Sequence, residues 1–186
     1  RHPFVSGLGD GTLAPAKYAR FIGQDAFFLD VFARGYAAGV VRAPDPEARR
    51  AFHRLQCGVF EELKLHGTVA GELGIDLTVV EPLEATRAYT DFLLANTFTG
   101  TLGELLASMT PCMRLYHFLG VRLAEEGRSS NAYGSWIETY AGPEFGGLVA
   151  ELEALLDRYG QGTDRAGDRY RTAMRLEYGF FDEAWR

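Results

Sequence analysis

Cys112 has the setting most suggestive of chemistry in this chain. It follows Pro111 in Met109-Thr110-Pro111-Cys112-Met113-Arg114-Leu115-Tyr116, and Tyr116 shares its face one turn on. A proline inside a helix removes a hydrogen bond, frees a carbonyl (here near Ala107) and bends the helix. A thiol on an aromatic-lined face beside such a defect is a nucleophile if a base lowers its proton affinity. Without that base it is a small structural hydrophobe. Two carboxylates have a comparable setting. Asp25 lies in Gly23-Gln24-Asp25-Ala26-Phe27-Phe28, and Glu177 in Leu176-Glu177-Tyr178-Gly179-Phe180-Phe181. Burying a carboxylate among aromatics is costly unless it is paired. Either both point outward on amphipathic helices or they face a shared interior. Phe27 and Phe28 cover much of the helix around Asp25 and favour the interior. Acids and aromatics together describe a cavity for a flat, nitrogen-rich ring, stacked on its faces and held by carboxylates that accept its N–H groups.

The remaining candidates carry less. Cys57, in Leu55-Gln56-Cys57-Gly58, reads as a buried inert thiol. The histidines are His2, His53, His66 and His117, and none stands in the Glu-x-x-His pattern of a di-iron carboxylate bundle. Glu62 and His66 are spaced i, i+4 and read as a surface contact on an exposed helix. No metal and no haem is expected.

Helices must position these groups. Pro15 to about Val41 is one long helix, with Phe21, Phe28, Phe32 and Tyr36 at helical spacing. Asp45-Pro46-Glu47 starts a second, which runs to about Leu73 with Gly74 as its C-cap. A third opens at Pro82 and ends near Asn96. Thr101-Leu-Gly-Glu104 is a capping box that launches a helix to about Glu126. Asn131–Tyr140, Pro143–Tyr159 and Asp164–Trp185 complete the set. The opening stretch, His2 to Gly11, is rich in glycine and reads as a loop. No run alternates at period two, so the fold class is all-α. Gly23, Gly35 and Gly39 each cost helix stability, by about 1 kcal/mol against alanine, which implies close helix packing or room for a ligand.

The chain has 186 residues, 47% hydrophobic and 24% charged, which suits one globular domain spanning 1–186 and excludes a disordered chain. Two cysteines exclude a disulfide scaffold and a four-cysteine zinc site. The net charge of −6 lacks the basic footprint of a nucleic-acid binder. No apolar run is long enough to span a membrane. Few cysteines and no visible signal peptide point to the cytoplasm.

His2-Pro3-Phe4-Val5-x-Gly7-x-Gly9-Asp10-Gly11-Thr12-Leu13, then Gln24-Asp25, Pro111-Cys112-x-x-Leu115-Tyr116, Trp136-Ile137-x-Thr139-Tyr140-x-Gly142 and Glu177-Tyr178 resemble, in order and spacing, the TenA / thiaminase II family. The resemblance covers nearly the whole chain; a family helix that usually precedes the His-Pro-Phe motif is expected to be missing. It implies a haem-oxygenase-like helical bundle, a homotetramer without haem or metal, and hydrolysis at the 5-methylene of a 4-amino-2-methylpyrimidine. The implied substrate is 4-amino-5-aminomethyl-2-methylpyrimidine, with thiamine as a second. It implies Cys112 as nucleophile, Glu177 as the acid that protonates a ring nitrogen, and Asp25 as the carboxylate on the aminopyrimidine edge. Phe28, Tyr89, Tyr116 and Tyr140 match ring-contacting or hydrogen-bonding positions. The alternative is a non-catalytic pyrimidine- or thiamine-binding, regulatory protein of the same fold.

Overall fold

A computed structural model describes residues 2–161 and 164–186; Arg1, Gly162 and Thr163 lie outside the described residues. The elements are α1 (Pro3–Asp10), α2 (Pro15–Arg42), α3 (Pro46–Leu73), a 3-10 turn (Leu77–Val79), α4 (Glu84–Thr99), α5 (Leu102–Glu125), α6 (Gly134–Ala141), α7 (Pro143–Tyr159) and α8 (Asp164–Trp185). No strand occurs among the described residues.

The local signals act as their chemistry requires. Asp45 accepts a hydrogen bond from the Ala48 N–H and caps α3, with Pro46 in its first turn. Gly74 ends the helix in the left-handed region, at φ 69°. At the start of α5 the Thr101 hydroxyl accepts from the Glu104 N–H, and the Glu104 carboxylate accepts from the Thr101 N–H. Pro111 sits within α5, which continues as helix on both sides of it.

The opening stretch corrects the sequence reading: it is a helix, not a loop. His2 Nδ1 accepts from the Phe4 N–H and Pro3 fills the first turn. Gly7 and Gly9 are there for packing, whereas Gly11 caps the helix in the left-handed region at φ 78°. A Cβ on Gly9 would lie 2.6 Å from a Leu123 methyl, and one on Gly7 3.2 Å from the Leu13 backbone. The glycines of α2 are explained in the same way. A Cβ on Gly39 would fall 2.4 Å from the Phe52 ring of α3, so glycine lets α2 and α3 approach closely.

Helix α5 runs through the middle of the bundle, packed against α2, α4, α6, α7 and α8. Its stretch from Gly103 to Met113 is buried throughout. A residue on α5 can therefore face groups from several helices at once. Phe4, Phe21, Phe28, Phe32, Tyr36 and Phe52 supply much of the core around it.

Candidate active site

A cavity of about 460 Å³ opens beside the Cys112 turn of α5, a size suited to a small organic molecule. Asp25 of α2, Glu62 of α3, Cys112 and Tyr116 of α5, and Tyr140 of α6 all line it, with Phe32, Phe145 and Leu148 among the apolar wall. Among the described residues, five carboxyl groups (Asp25, Glu61, Glu62, Glu138 and Glu144) and no Lys, Arg or His line the space. The cavity thus favours a neutral or cationic guest.

The sequence-derived residues divide into two layers. Asp25, Cys112, Tyr116 and Tyr140 stand on the cavity wall. Glu177, Tyr89 and Phe28 stand behind it. The Glu177 carboxyl is 1% exposed, accepts the Tyr89 hydroxyl at 2.8 Å and lies near enough to the Cys112 thiol to raise its pKa. The Phe28 ring packs on Tyr89 at 4.7 Å and on Phe32 at 5.3 Å. Sequence alone cannot assign these layers, because Phe28 and Tyr116 carry the same helical signal. On the wall, Tyr116 and Tyr140 meet edge-on at 4.9 Å, and Trp136 closes the cluster at 4.6 Å from Tyr140.

The surface-contact reading of Glu62 and His66 is corrected. Both turn inward from α3. His66 is 5% exposed, and its Nε2 lies 2.7 Å from Asp25 Oδ2 while Nδ1 lies 3.0 Å from the Glu62 carbonyl oxygen. The Glu62 carboxyl accepts the Tyr140 hydroxyl. The signal was present in the chain: Leu55, Val59, Glu62, His66 and Ala70 fall on one helical stripe, and Leu55, Val59, His66 and Ala70 are buried. Cys57 lies off that stripe and is exposed, 3.8 Å from His53, which corrects its reading as a buried thiol.

Burial and charge set the protonation states. Burial works against the His66 cation, but the Asp25 hydrogen bond and charge, with Glu62 behind them, raise its pKa to about 9. His66 is therefore an imidazolium and Asp25 has a cationic partner. Glu62 keeps some accessible surface because it faces the cavity, yet protein encloses its other sides. That enclosure, and the Asp25 charge, push its pKa up to about 7 against the opposing pull of His66 and Tyr140. Burial raises Glu177 to about 8, the Tyr89 hydrogen bond opposing it. Cys112 is pushed well above the usual thiol range, first by burial and then by Glu177, Asp25 and Glu62. The thiol at rest is protonated, and a nucleophilic role requires its proton to leave as the new bond forms.

Asp25, Glu62 and His66 bring possible ligand atoms within 4.8 Å of one another. Both His66 ring nitrogens already face oxygen acceptors. A ring held that way is a cation and offers no lone pair to a metal.

Three comparisons place the chain among known proteins. The model of the TENA/THI-4/PQQC family matches residues 1–186. The aminopyrimidine aminohydrolase of Halalkalibacterium halodurans is 35% identical over 99% of this chain and 87% of its own length. The crystal structure of a TenA family transcription regulator from a Silicibacter species superposes with a TM-score of 0.92 at 31% identity, over 99% of this chain and 88% of that one. A Shewanella denitrificans domain of unknown function with a heme oxygenase-like fold matches with a TM-score of 0.68 at 15% identity, over 100% and 84% of the two chains, which bears on the fold alone. The fold is the haem-oxygenase-like all-α bundle, and the chain belongs to the TENA/THI-4/PQQC family.

Proposed function

We propose that this protein is a thiamine-pyrimidine salvage hydrolase. It converts 4-amino-5-aminomethyl-2-methylpyrimidine and water to the 5-hydroxymethyl pyrimidine and ammonia, and also cleaves thiamine at the same methylene. The observation that carries the reading is a cysteine on the wall of an acidic, aromatic cavity, with a buried carboxyl behind it that bears on the thiol. The name of the Halalkalibacterium relative supports the same chemistry.

In this reading Asp25, held by His66, accepts the N–H groups of the aminopyrimidine edge, and Tyr116 and Tyr140 contact the ring. Glu177 gives its proton to a ring nitrogen and takes the thiol proton as Cys112 bonds to a ring carbon. One buried carboxyl thus moves the thiol proton to the ring and leaves no extra charge behind. The ring, now electron-rich, expels the group on the 5-methylene; water adds there, the carbon–sulfur bond breaks, and both protons return. Phe28 and Tyr89 back the ring-facing layer and fix Glu177. The protein acts in the cytoplasm as a homotetramer, a state that light scattering on the purified protein measures directly.

Mass-spectrometric identification of the products from aminomethyl-pyrimidine, thiamine and base-degraded thiamine tests the reading. Hydroxymethyl-pyrimidine with stoichiometric ammonia is expected. Binding without turnover of any of the three would instead select the non-catalytic, regulatory alternative.

A further inference from the structure

The reaction makes two separate demands for protons. One is at a ring nitrogen. The other is at the exocyclic methylene, where an amine departs and a water arrives. Glu177 answers the first from behind the wall, where it is 1% exposed, hydrogen-bonded to Tyr89 and near Cys112. It does not line the cavity that incoming water must enter. Glu62 does. Its carboxyl shares that wall with Cys112, takes the Tyr140 hydroxyl and lies within 4.8 Å of the Asp25 carboxylate. The Glu62–Tyr140 pair on the cavity wall thus has a counterpart behind it in Glu177–Tyr89.

We propose that the Glu62–Tyr140 pair is the acid–base relay for the exocyclic methylene, protonating the amine as it departs and deprotonating the water that replaces it. This rests on the aminopyrimidine hydrolase reading above. The Glu62 acid gives its proton to the amine as the carbon–nitrogen bond breaks, and the electron pair leaves with nitrogen as ammonia. The resulting carboxylate takes a proton from water as the carbon–oxygen bond forms, which restores the acid. Tyr140 holds the carboxyl toward the methylene in both steps. Enclosure by protein, helped by the neighbouring Asp25 anion, keeps the acid protonated near neutrality, with a pKa of about 7, so both forms are accessible in one cycle.

Glu62→Gln tests the relay, with its fold checked by circular dichroism and thermal melting. Ammonia release from aminomethyl-pyrimidine should fall by at least about a hundredfold, and so should hydrolysis of thiamine. Thiamine cleavage differs in one respect: the thiazole leaves as a neutral base and needs no proton. Pyridine, a nucleophile with no proton to lose, should therefore restore thiamine cleavage by the variant to within about tenfold of wild type, with a pyridinium product. A merely structural role for Glu62 predicts no such rescue. Wild-type hydrolysis rates in the variant, or slowed thiamine cleavage that pyridine leaves unchanged, would overturn the relay. If wild type itself released no ammonia, the hydrolase reading would fail before Glu62 came into question.

Discussion

Replacing His66 tests the electrostatic core of the site. His66 is the cation that partners Asp25, and Asp25 is 3% exposed. The imidazole pKa rises from 6.5 to about 9 in the folded chain. At about 1.36 kcal/mol per unit, that shift corresponds to roughly 3 kcal/mol of stabilisation. Breaking a buried pair by removing one partner costs about 3–5 kcal/mol, the same range. His66→Asn keeps an amide near the Glu62 carbonyl but does not reach Asp25. For a chain of this size the loss should lower the melting temperature by roughly 6–12 °C. The pH dependence gives the sign. A group whose pKa is higher in the folded state stabilises fully below its unfolded value, here about 6.5. That contribution disappears as pH rises through about 9. The gap between wild type and His66→Asn in urea unfolding should therefore be widest near pH 6 and narrow toward pH 10. His66→Gln, which reaches Asp25 with an uncharged N–H, should recover part of the loss without the pH dependence. Equal stability of His66→Asn and wild type at pH 6, or a gap that does not change with pH, would refute the argument.

Two further outcomes follow from named contacts. Glu177→Gln keeps an acceptor for Tyr89 but cannot cycle a proton, so it should melt within a few degrees of wild type while kcat for ammonia release drops by about 10²–10⁴; full activity would mean that the ring is activated elsewhere. Gly39→Ala gains about 1 kcal/mol of helix propensity but drives a Cβ to 2.4 Å from the buried Phe52 ring. Overpacking costs about 1–3 kcal/mol, so urea unfolding should show a net loss, and a stabilised variant would mean that close packing is not why glycine stands there.

The sequence revealed the helices wherever a cap announced them: Asp45 with Pro46, Thr101 with Glu104, and Gly74 act as their residue types require. It misled at His2 to Gly11, because Gly7 and Gly9 carry the same signature whether they break a helix or admit a closely packed neighbour. Here they do the second, at Leu13 and Leu123. Asp25 and Cys112 were legible because their aromatic neighbours left them little solvent to face. Glu62 and His66 read as a surface pair from their i, i+4 spacing on a helix taken as exposed, although their register with Leu55, Val59 and Ala70 places them on the buried stripe of α3. The layering of Phe28 and Tyr89 behind Tyr116 and Tyr140 arises where α2, α4, α5 and α6 converge. No spacing within a single helix encodes that convergence.

Covalent participation of Cys112 is the claim on which the chemistry depends, and ammonia release by Cys112→Ser measures it most directly. The serine hydroxyl is a far weaker nucleophile, so turnover of aminomethyl-pyrimidine should fall by at least about a thousandfold. Calorimetry should still find the pyrimidine bound, because Asp25, Tyr116 and Tyr140 are untouched. A serine variant that releases ammonia at the wild-type rate would contradict the account.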